Sequence, residues 1–431
     1  MTPRAPTYFP RWTLREQGVI AADERLPAVP TVALGIQHVV AMFGATVLAP
    51  LLMGFDPNVA ILFSGIGTLI FFLAVGGRVP SYLGSSFSFI AVVIAATAYA
   101  GSGANANIPV ALGGIIAAGV LYSVIGLVVM KVGYAWIEKL MPPAVTGAIV
   151  AVIGLNLAPI AVKGIAGSAF DTWIGIATIV AVGLVAVRAP GLARRLPILL
   201  GGLTGYLLYA LLANGLGLAK AIDFSAVVAA PWFGLPKFAT PVWSAQAIAL
   251  IAPVAIVLVA ENLGHVKAVA AMTGQNLDPY LGRAFLGDGV ATIVAGFGGG
   301  TGVTTYAENI GVMAVTRIYS TLVFVVAAIT AIILGFSPKF GALIGTIPGP
   351  VLGGLAIVVF GLITATGGRI WVQNQVDFAR ARNLVTVAAT LTIGAGDLAL
   401  KIFGFTLGGI GTATFGAILL YQLWSDGEGP R

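Results

Sequence analysis

Apolar runs recur along this chain from residue 31 to residue 422, each close to the length that crosses a bilayer. A spanning helix needs roughly 20 such residues. Hydrocarbon offers no water to a backbone amide or carbonyl, so runs of this kind have to satisfy their own hydrogen bonds as helices. Only 9% of the 431 residues are charged, against 58% hydrophobic. A soluble domain carries about 25% charged residues, so the composition is that of an integral membrane protein. With no cysteine in the chain, disulfide and thiolate chemistry are excluded. Two histidines in all argue against zinc. The net charge of +7 does not imply nucleic acid, because the basic residues lie in short loops where topology accounts for them.

Fourteen spans are expected, from one near 32–53 to one near 403–422. Charge asymmetry tests the count. With the N-terminus inside, 17 of the 22 Lys and Arg residues fall in inward segments and 5, Lys163, Lys220, Lys237, Lys339 and Lys401, fall outside. A wrong count would reverse the bias partway along, so the positive-inside rule favours fourteen spans with both ends cytoplasmic. Lys267 and Arg317 read as interfacial anchors. The first 30 residues mix Arg4, Arg11, Arg15 and Arg25 with acids and prolines. No apolar core follows a short basic start, so no cleaved signal peptide is expected. This segment reads as a disordered cytoplasmic tail.

Two pieces of the chain read alike. PAVTGAIVAVIGL starts at Pro143 and PVLGGLAIVVFGL at Pro350, so Gly147 matches Gly354 and Gly154 matches Gly361. Seven spans separate the two, so the halves would insert with opposite orientation, as in the inverted repeats of secondary transporters. The repeat pairs the third span with the tenth. SYLGSSFSF (81–89) and GGGTGVTTYAEN (298–309) are both poor lipid-facing helices, and are expected to be discontinuous spans with short extended segments. Unwound backbone at membrane depth is tolerated only inside protein or along a cavity, and broken spans in matching positions point to a substrate site. The helical half after each break would aim its N-terminal amides at that site.

Polar residues inside these runs are the candidates for function. Glu261 ends the apolar run IALIAPVAIVLVAE, and His265 follows one turn later on the same face. A carboxylate at that depth costs about 3 kcal/mol on insertion scales, so it pairs, protonates or binds something. Glu308, at the start of the tenth span, is the second acid. Structural alternatives exist: a Glu261–His265 pair, and a helix N-terminal acid at Glu308 favoured by the dipole. Gln37 and His38 in the first span recur at a matching interval and suit hydrogen bonds to the broken helices. Asp288 suits the same work or a proton path. Phe87 either packs in the core or stacks on a planar ligand.

Two carboxylates disfavour an anionic substrate. They suit a neutral planar molecule with N–H donors and carbonyl acceptors, since a carboxylate accepts and a protonated carboxyl also donates. A buried Glu tends to hold a proton, which links proton and substrate binding. A nucleobase–proton symporter fits that description. No nucleophile–base pair, metal-ligand spacing or phosphate loop supports an enzyme.

Three motifs then carry a family resemblance: ENIGVMAVTR at 308–317, QHVVAMFGATVLAP at 37–50 and AENLGHV at 260–266. In order and spacing the chain resembles the nucleobase/ascorbate transporters, also called nucleobase:cation symporter family 2, and within it the bacterial uracil or uracil–xanthine permeases. The resemblance implies an all-α polytopic protein of fourteen transmembrane helices in a seven-plus-seven inverted repeat. It implies a core domain from residues 31–131 and 241–340 and a gate domain from 132–240 and 341–424, with tails at 1–30 and 425–431. The core would carry substrate in an elevator-like cycle, and gates would form a homodimer. Glu261 would bind the base and Glu308 accept a ring N–H. Phe87 and Ala307 would offer backbone amides, with Tyr306 beside them and Ala45 lining the site from the first span. His265 would support Glu261 or relay the proton, with Asn309, Gln37, His38 and Asp288 in supporting places. The coupling ion would be a proton, with no other cofactor and no nucleic-acid partner, and the protein would lie in the bacterial cytoplasmic membrane. By the same resemblance Glu308, where purine and ascorbate branches often have Gln, favours a pyrimidine. Ala307, where uracil permeases often have Gly, leaves a broader uracil, xanthine and thymine range open. A sulfate or bicarbonate type of anion transporter sharing the architecture is the remaining alternative.

Overall fold

The computed structural model describes residues 8–101, 103–191, 193–402 and 405–424. Arg4, Arg431 and the C-terminal tail expected from residue 425 lie outside the described residues. The chain opens with two short parallel strands, β1 (Thr13–Leu14) and β2 (Glu24–Arg25). Helices α1 (Ala28–Met53) and α2 (Pro57–Ala74) follow. Asp56 starts α2 by accepting the Asn58 amide at 2.8 Å, with Pro57 in the first turn where no amide is missed. Strand β3 (Leu83–Ser85) leads through a 3₁₀ turn at Phe87–Phe89 into α3 (Ile90–Thr97). Next come α4 (Ile108–Val132), the connector α5 (Ala135–Leu140), α6 (Pro143–Ile165), α7 (Ala169–Arg188), α8 (Pro197–Ala210) and the short α9 (Ser225–Ala229).

The second half repeats the pattern. Helix α10 (Ala245–Ile251) bends at Pro253 into α11 (Val254–Thr273), and α12 (Leu281–Phe297) precedes β4 (Val303–Thr305) and α13 (Ala307–Thr316). Helices α14 (Thr321–Gly335), α15 (Pro338–Gly345), α16 (Gly349–Gln373) and α17 (Ala381–Ala395) lead to a hairpin, β5 (Leu400–Ile402) and β6 (Phe405–Leu407), and to α18 (Gly409–Leu423). Among the described residues eight helices are long and apolar enough to cross a membrane in one piece, or nine if the bent pair α14 and α15 is one span. The other expected spans fall on shorter helices or on the two strand-and-helix segments.

The helices gather into two groups. Helices α1, α2, α4, α12 and α14 pack together, with α11 and α13 against them; α6, α7, α8, α16, α17 and α18 form the second group. Small residues make the close seams. A side chain at Gly126 would meet the Leu286 backbone, and one at Gly282 would meet Met130, so α4 and α12 approach backbone to backbone. In the second group Gly147 and Gly154 of α6 pack on α16 against Trp371, Phe360 and Thr364. Their sequence partners differ: Gly354 packs on α7, whereas Gly361 faces open space.

The third and tenth spans are broken, as expected, and the breaks pair with each other. Strands β3 and β4 are antiparallel, with Leu83 opposite Thr305, Gly84 opposite Thr304 and Ser85 opposite Val303. The ladder runs on through Tyr306 N to Tyr82 O at 3.0 Å and Ser86 N to Gly302 O at 2.9 Å. A two-stranded ribbon leaves two unpaired edges, and threonines from neighbouring helices fill them. Thr68 on α2 accepts the Leu83 amide at 2.9 Å, and Thr292 on α12 accepts the Val303 amide at 3.2 Å. The two threonines hold matching places in the two halves, which is the inverted repeat expressed in hydrogen bonds.

One expectation fails. Residues 8–26 are not a loose tail but lie against the first helix group. Ile20 is fully buried and bridges Ile318 in parallel. Trp12 donates to Thr321 Oγ1 at 3.0 Å, and Tyr8 donates to the Leu73 carbonyl at 2.9 Å. A basic, proline-rich composition gave no periodicity from which this docking could be read. Lys267, expected as an interfacial anchor, lies in the C-terminal half of α11 and pairs with Asp278 at 2.8 Å.

Replacing Thr68 or Thr292 by the isosteric Val leaves a ribbon amide unpaired at membrane depth. Each change is expected to cost about 1–3 kcal/mol, read as a lower melting temperature of the detergent-solubilised protein. Unchanged melting in both variants would remove the ribbon edges as a stability determinant.

Candidate functional site

The antiparallel register puts a helix start at each end of the ribbon, Phe87 beyond Ser85 and Ala307 beyond Thr305. Ser86 caps the 3₁₀ turn by accepting the Ser88 amide at 3.3 Å. Tyr306 stands at the N-cap of α13 and gives no side-chain cap, and the Glu308 carboxyl turns back on its own main-chain amide. Such an end attracts acceptors and negative charge. Ala307 and Glu308 occupy the first turn and are exposed, while Asn309 behind them is fully buried.

Exposure continues along α11, α13 and α16, a pattern that fits a crevice between the two helix groups. On α11 the half from Val254 to Ala260 is almost wholly buried, but Gly264 and Ala268 are exposed. On α13 Gly311 and Ala314 are exposed beyond Glu308, and on α16 Gly361, Ala365 and Arg369 are exposed beyond buried Phe360. These exposed positions lie towards Arg317 and Arg369, on the side that the charge asymmetry predicts to be cytoplasmic. At the closed end of the crevice the Phe87 ring meets the Phe360 ring edge-on, with centroids 6.0 Å apart and planes at 82°. Phe87 is thus half-buried between the two groups, a position open to both readings given for it.

Glu261 enters from α11. Its Oε2 is buried without a hydrogen-bond partner. Ser88, whose hydroxyl is also buried and unmatched at normal hydrogen-bond distance, is the side-chain donor that acts on this carboxyl, which leaves the acid poorly satisfied. Glu261 and Glu308 lie within electrostatic reach of each other. The structural pair of Glu261 with His265 is not formed among the described residues. Instead, His265 Nδ1 meets Thr305 Oγ1 at 2.8 Å, tying α11 to β4. Arg369, across the crevice, acts electrostatically on His265.

The supporting residues divide into two networks. Asn309 Nδ2 reaches both the His38 ring nitrogen and the His38 carbonyl at 3.0 Å, which holds α13 against α1. Gln37, one residue before, is half-buried. Asp288 is fully buried in the middle of α12 and accepts from Asn262 Nδ2 at 2.7 Å; Tyr122 on α4 completes that cluster. Asp288 Oδ1 and Asn262 Oδ1 are also buried without partners. Tyr306 is committed to the ribbon, donating to the Ser85 carbonyl at 2.7 Å and accepting from Thr46 at 3.2 Å. Ala45 is buried on α1 next to Thr46.

Several residues of this arrangement were not singled out from sequence. Asn262 had a signal, as a polar residue in an apolar run directly after Glu261. Thr305 lay within the quoted broken segment. Tyr122, Phe360 and Arg369 had none, because only packing brings α4 and α16 to the site. No group of His, Asp and Glu with metal-binding geometry occurs among the described residues.

An Asn309→Leu variant strips the His38 ring nitrogen and carbonyl of their donor. It is expected to lose about 1–3 kcal/mol of stability, measured as a melting shift. Stability equal to the parent would show that this contact does not hold α13 to α1.

The chain was compared with known proteins. A family model described as "Permease family" matches residues 30–403. A protein of Escherichia coli (strain K12) named "Putative pyrimidine permease RutG" is 65% identical over 97% of this chain and 95% of its own. A "Uracil permease" of Paenibacillus larvae is 42% identical over 93% of this chain and 96% of its own, and one of Escherichia coli (strain K12) is 40% identical over 94% of each. Among solved structures, SLC26A9 matches with a TM-score of 0.63 at 12% identity, over 93% of this chain and 66% of that one. The transmembrane domain of the cyanobacterial bicarbonate transporter BicA matches with a TM-score of 0.62 at 16% identity, over 91% and 96%. These two likenesses establish the fold, a helical membrane architecture built as a seven-plus-seven inverted repeat. The chain belongs to the nucleobase/ascorbate permease family, and is a multi-pass membrane transporter rather than an enzyme.

Proposed function

We propose that this protein imports uracil together with protons across the bacterial cytoplasmic membrane, with both termini inside. The observation that carries the reading is the closeness of a poorly satisfied buried Glu261 carboxyl to Glu308, which is exposed in the first turn of α13. A uracil ring presents two N–H donors and two carbonyl acceptors in one plane. The carboxylates match the donors, and the first amides of α13 and of the Phe87 turn match the carbonyls. The permease names of the relatives support the same substrate class.

Transport follows from the division into two helix groups. Helices α1–α4 and α10–α14 form the core that carries the site, and α6–α8 and α16–α18 form the gate through which two copies associate. The core slides against the gate, so that the crevice opens to one side and then the other. Gly361 and Gly264 leave smooth backbone on the facing surfaces. Glu261 takes up the coupled proton in this scheme, with His265, Asn309, Gln37, His38 and Asp288 holding the frame or relaying it.

A broader range of uracil, thymine and xanthine is the second reading, motivated by the Ala307 methyl on the exposed first turn of α13. Fold likeness to SLC26A9 and BicA raises an anion transporter as a third. Two facing acids oppose it, since a bound anion would meet like charge.

Radiolabelled uracil uptake into proteoliposomes with an inward proton gradient is the direct test. Block by excess uracil and thymine alone supports a pyrimidine permease; block by xanthine as well supports the broader range; bicarbonate or sulfate uptake without uracil uptake overturns both. Glu308→Gln is expected to raise the uracil KM by about tenfold to a hundredfold, the worth of a hydrogen bond to a charged acceptor. A normal KM would remove Glu308 from the site. In Glu261→Gln, uptake is expected to become insensitive to a protonophore. Retained sensitivity would place the coupled proton elsewhere.

A further inference from the structure

The docked N-terminal segment has a role in the geometry of the site. Helix α13 has 10 residues, with Glu308 in its first turn and Arg317 closing it in a left-handed conformation at φ 55°. One face is exposed and the other packs on α1 and α11, and the helix is further held at its two ends. Strand β4 holds the Glu308 end. The other end runs into a connector, 317–321, before α14, and residues 8–26 are paired with that connector along its length. Ile20 N donates to the Arg317 carbonyl at 3.1 Å, Tyr319 N to the Ile20 carbonyl at 2.8 Å, and Thr321 N to the Ala22 carbonyl at 3.2 Å. Thr321 Oγ1 donates to that same carbonyl at 2.9 Å and accepts from Trp12. The connector is bound as a strand would be, by main-chain bonds that fix its register.

The same segment grips the other broken span's neighbours. Phe9 and Trp12 stack on Phe72 near the end of α2, with centroids 5.7 and 5.9 Å apart. The turn after α2 uses Gly76 and Gly77 at φ 61° and 63°, where a side chain would strike Tyr8 and Pro10. Arg283, at the start of α12, lies over the Tyr8 ring. Four elements of the first helix group, α2, α12, α13 and α14, are thereby tied together at one face. The buried residues of the segment, Pro10, Ile20, Ala22 and Leu26, are apolar, which suits lasting attachment rather than reversible contact.

We propose that residues 8–26 are a positioning strap: by pairing with the 317–321 connector they fix α13, and with it Glu308, in the geometry that binds substrate, and they stay docked while this helix group moves. The substrate half of the proposal rests on Glu308 being a substrate ligand, as argued above. The strap is a positioning element and touches no substrate.

The chain has no cysteine, so a double variant, Ile20→Cys with Ile318→Cys, can form one defined crosslink. Partners in a β-bridge lie near the Cα separation a disulfide spans. Oxidation with copper–phenanthroline is expected to leave the KM and maximal rate of uracil uptake unchanged. Arrest of uptake on oxidation, reversed by reductant, would overturn the proposal, because the strap would then have to release in each cycle. A second variant, Trp12→Phe with Thr321→Val, removes side-chain bonds while keeping apolar bulk. Hydrogen exchange of peptides covering 307–321 is expected to rise roughly tenfold in it, with gate helices unchanged. Its uracil KM is expected to rise about three- to tenfold, with the maximal rate within about twofold. Unchanged exchange and KM would reduce the strap to a passive passenger and overturn the proposal. The exchange measurement needs no substrate, so it decides the mechanical half even where Glu308→Gln binds uracil normally and the substrate half falls.

Discussion

Everything at the site depends on one pairing: two strands of three residues each, β3 and β4, that meet inside the membrane-embedded fold. Breaking two spans at this depth exposes backbone amides and carbonyls where no water is on hand to take them. Neither break is viable alone, because each would carry unsatisfied groups costing several kcal/mol apiece. Together they satisfy one another, and Thr68 and Thr292 close the two outer edges. The inverted repeat is what makes this economical, since the same local design, inserted twice in opposite orientation, supplies both partners. What remains after the pairing is a helix start at each end of the ribbon.

That remainder sets the chemistry. A helix start without an N-cap side chain is a donor surface, and Glu308 sits on it. Glu261, on α11, brings a buried oxygen that only a long contact from Ser88 serves. Donors and acceptors therefore converge without cancelling, which is the condition for recognising a neutral polar ring. The second layer is built differently. Asn309 with His38, His265 with Thr305, and Asp288 with Asn262 are paired side chains. They hold α13, β4 and α11 in place. Their paired atoms fix position, although Asn309, Asn262 and Asp288 each also keep one buried oxygen without a partner.

Much of this was legible in the residues. Glu261, Glu308 and the two broken segments stood out because charge and β-branched or small polar residues are expensive in an apolar run. The pairing of the third span with the tenth followed from the Pro143 and Pro350 repeat. The N-terminal segment was misread for a physical reason: it docks through main-chain bonds and a few apolar residues, and neither leaves a periodic pattern. His265 was placed one turn from Glu261 on the same helix face, but its partner came from β4, a segment 40 residues away. Gly154 and Gly361 matched in sequence and took different parts, one in a helix seam and one facing the crevice.

By itself the sequence determined that this is a helical membrane protein, where its chain must break, and which acids sit at the breaks. These are consequences of hydration energy, which acts residue by residue and shows in composition and spacing. The tertiary structure alone decided which polar groups find partners, that Phe360 and Arg369 of the second helix group face the site, and that residues 8–26 brace the helix bearing Glu308. Those outcomes depend on distances between segments far apart in the chain, and a hydrogen bond or a ring contact is set by ångströms that no local pattern encodes.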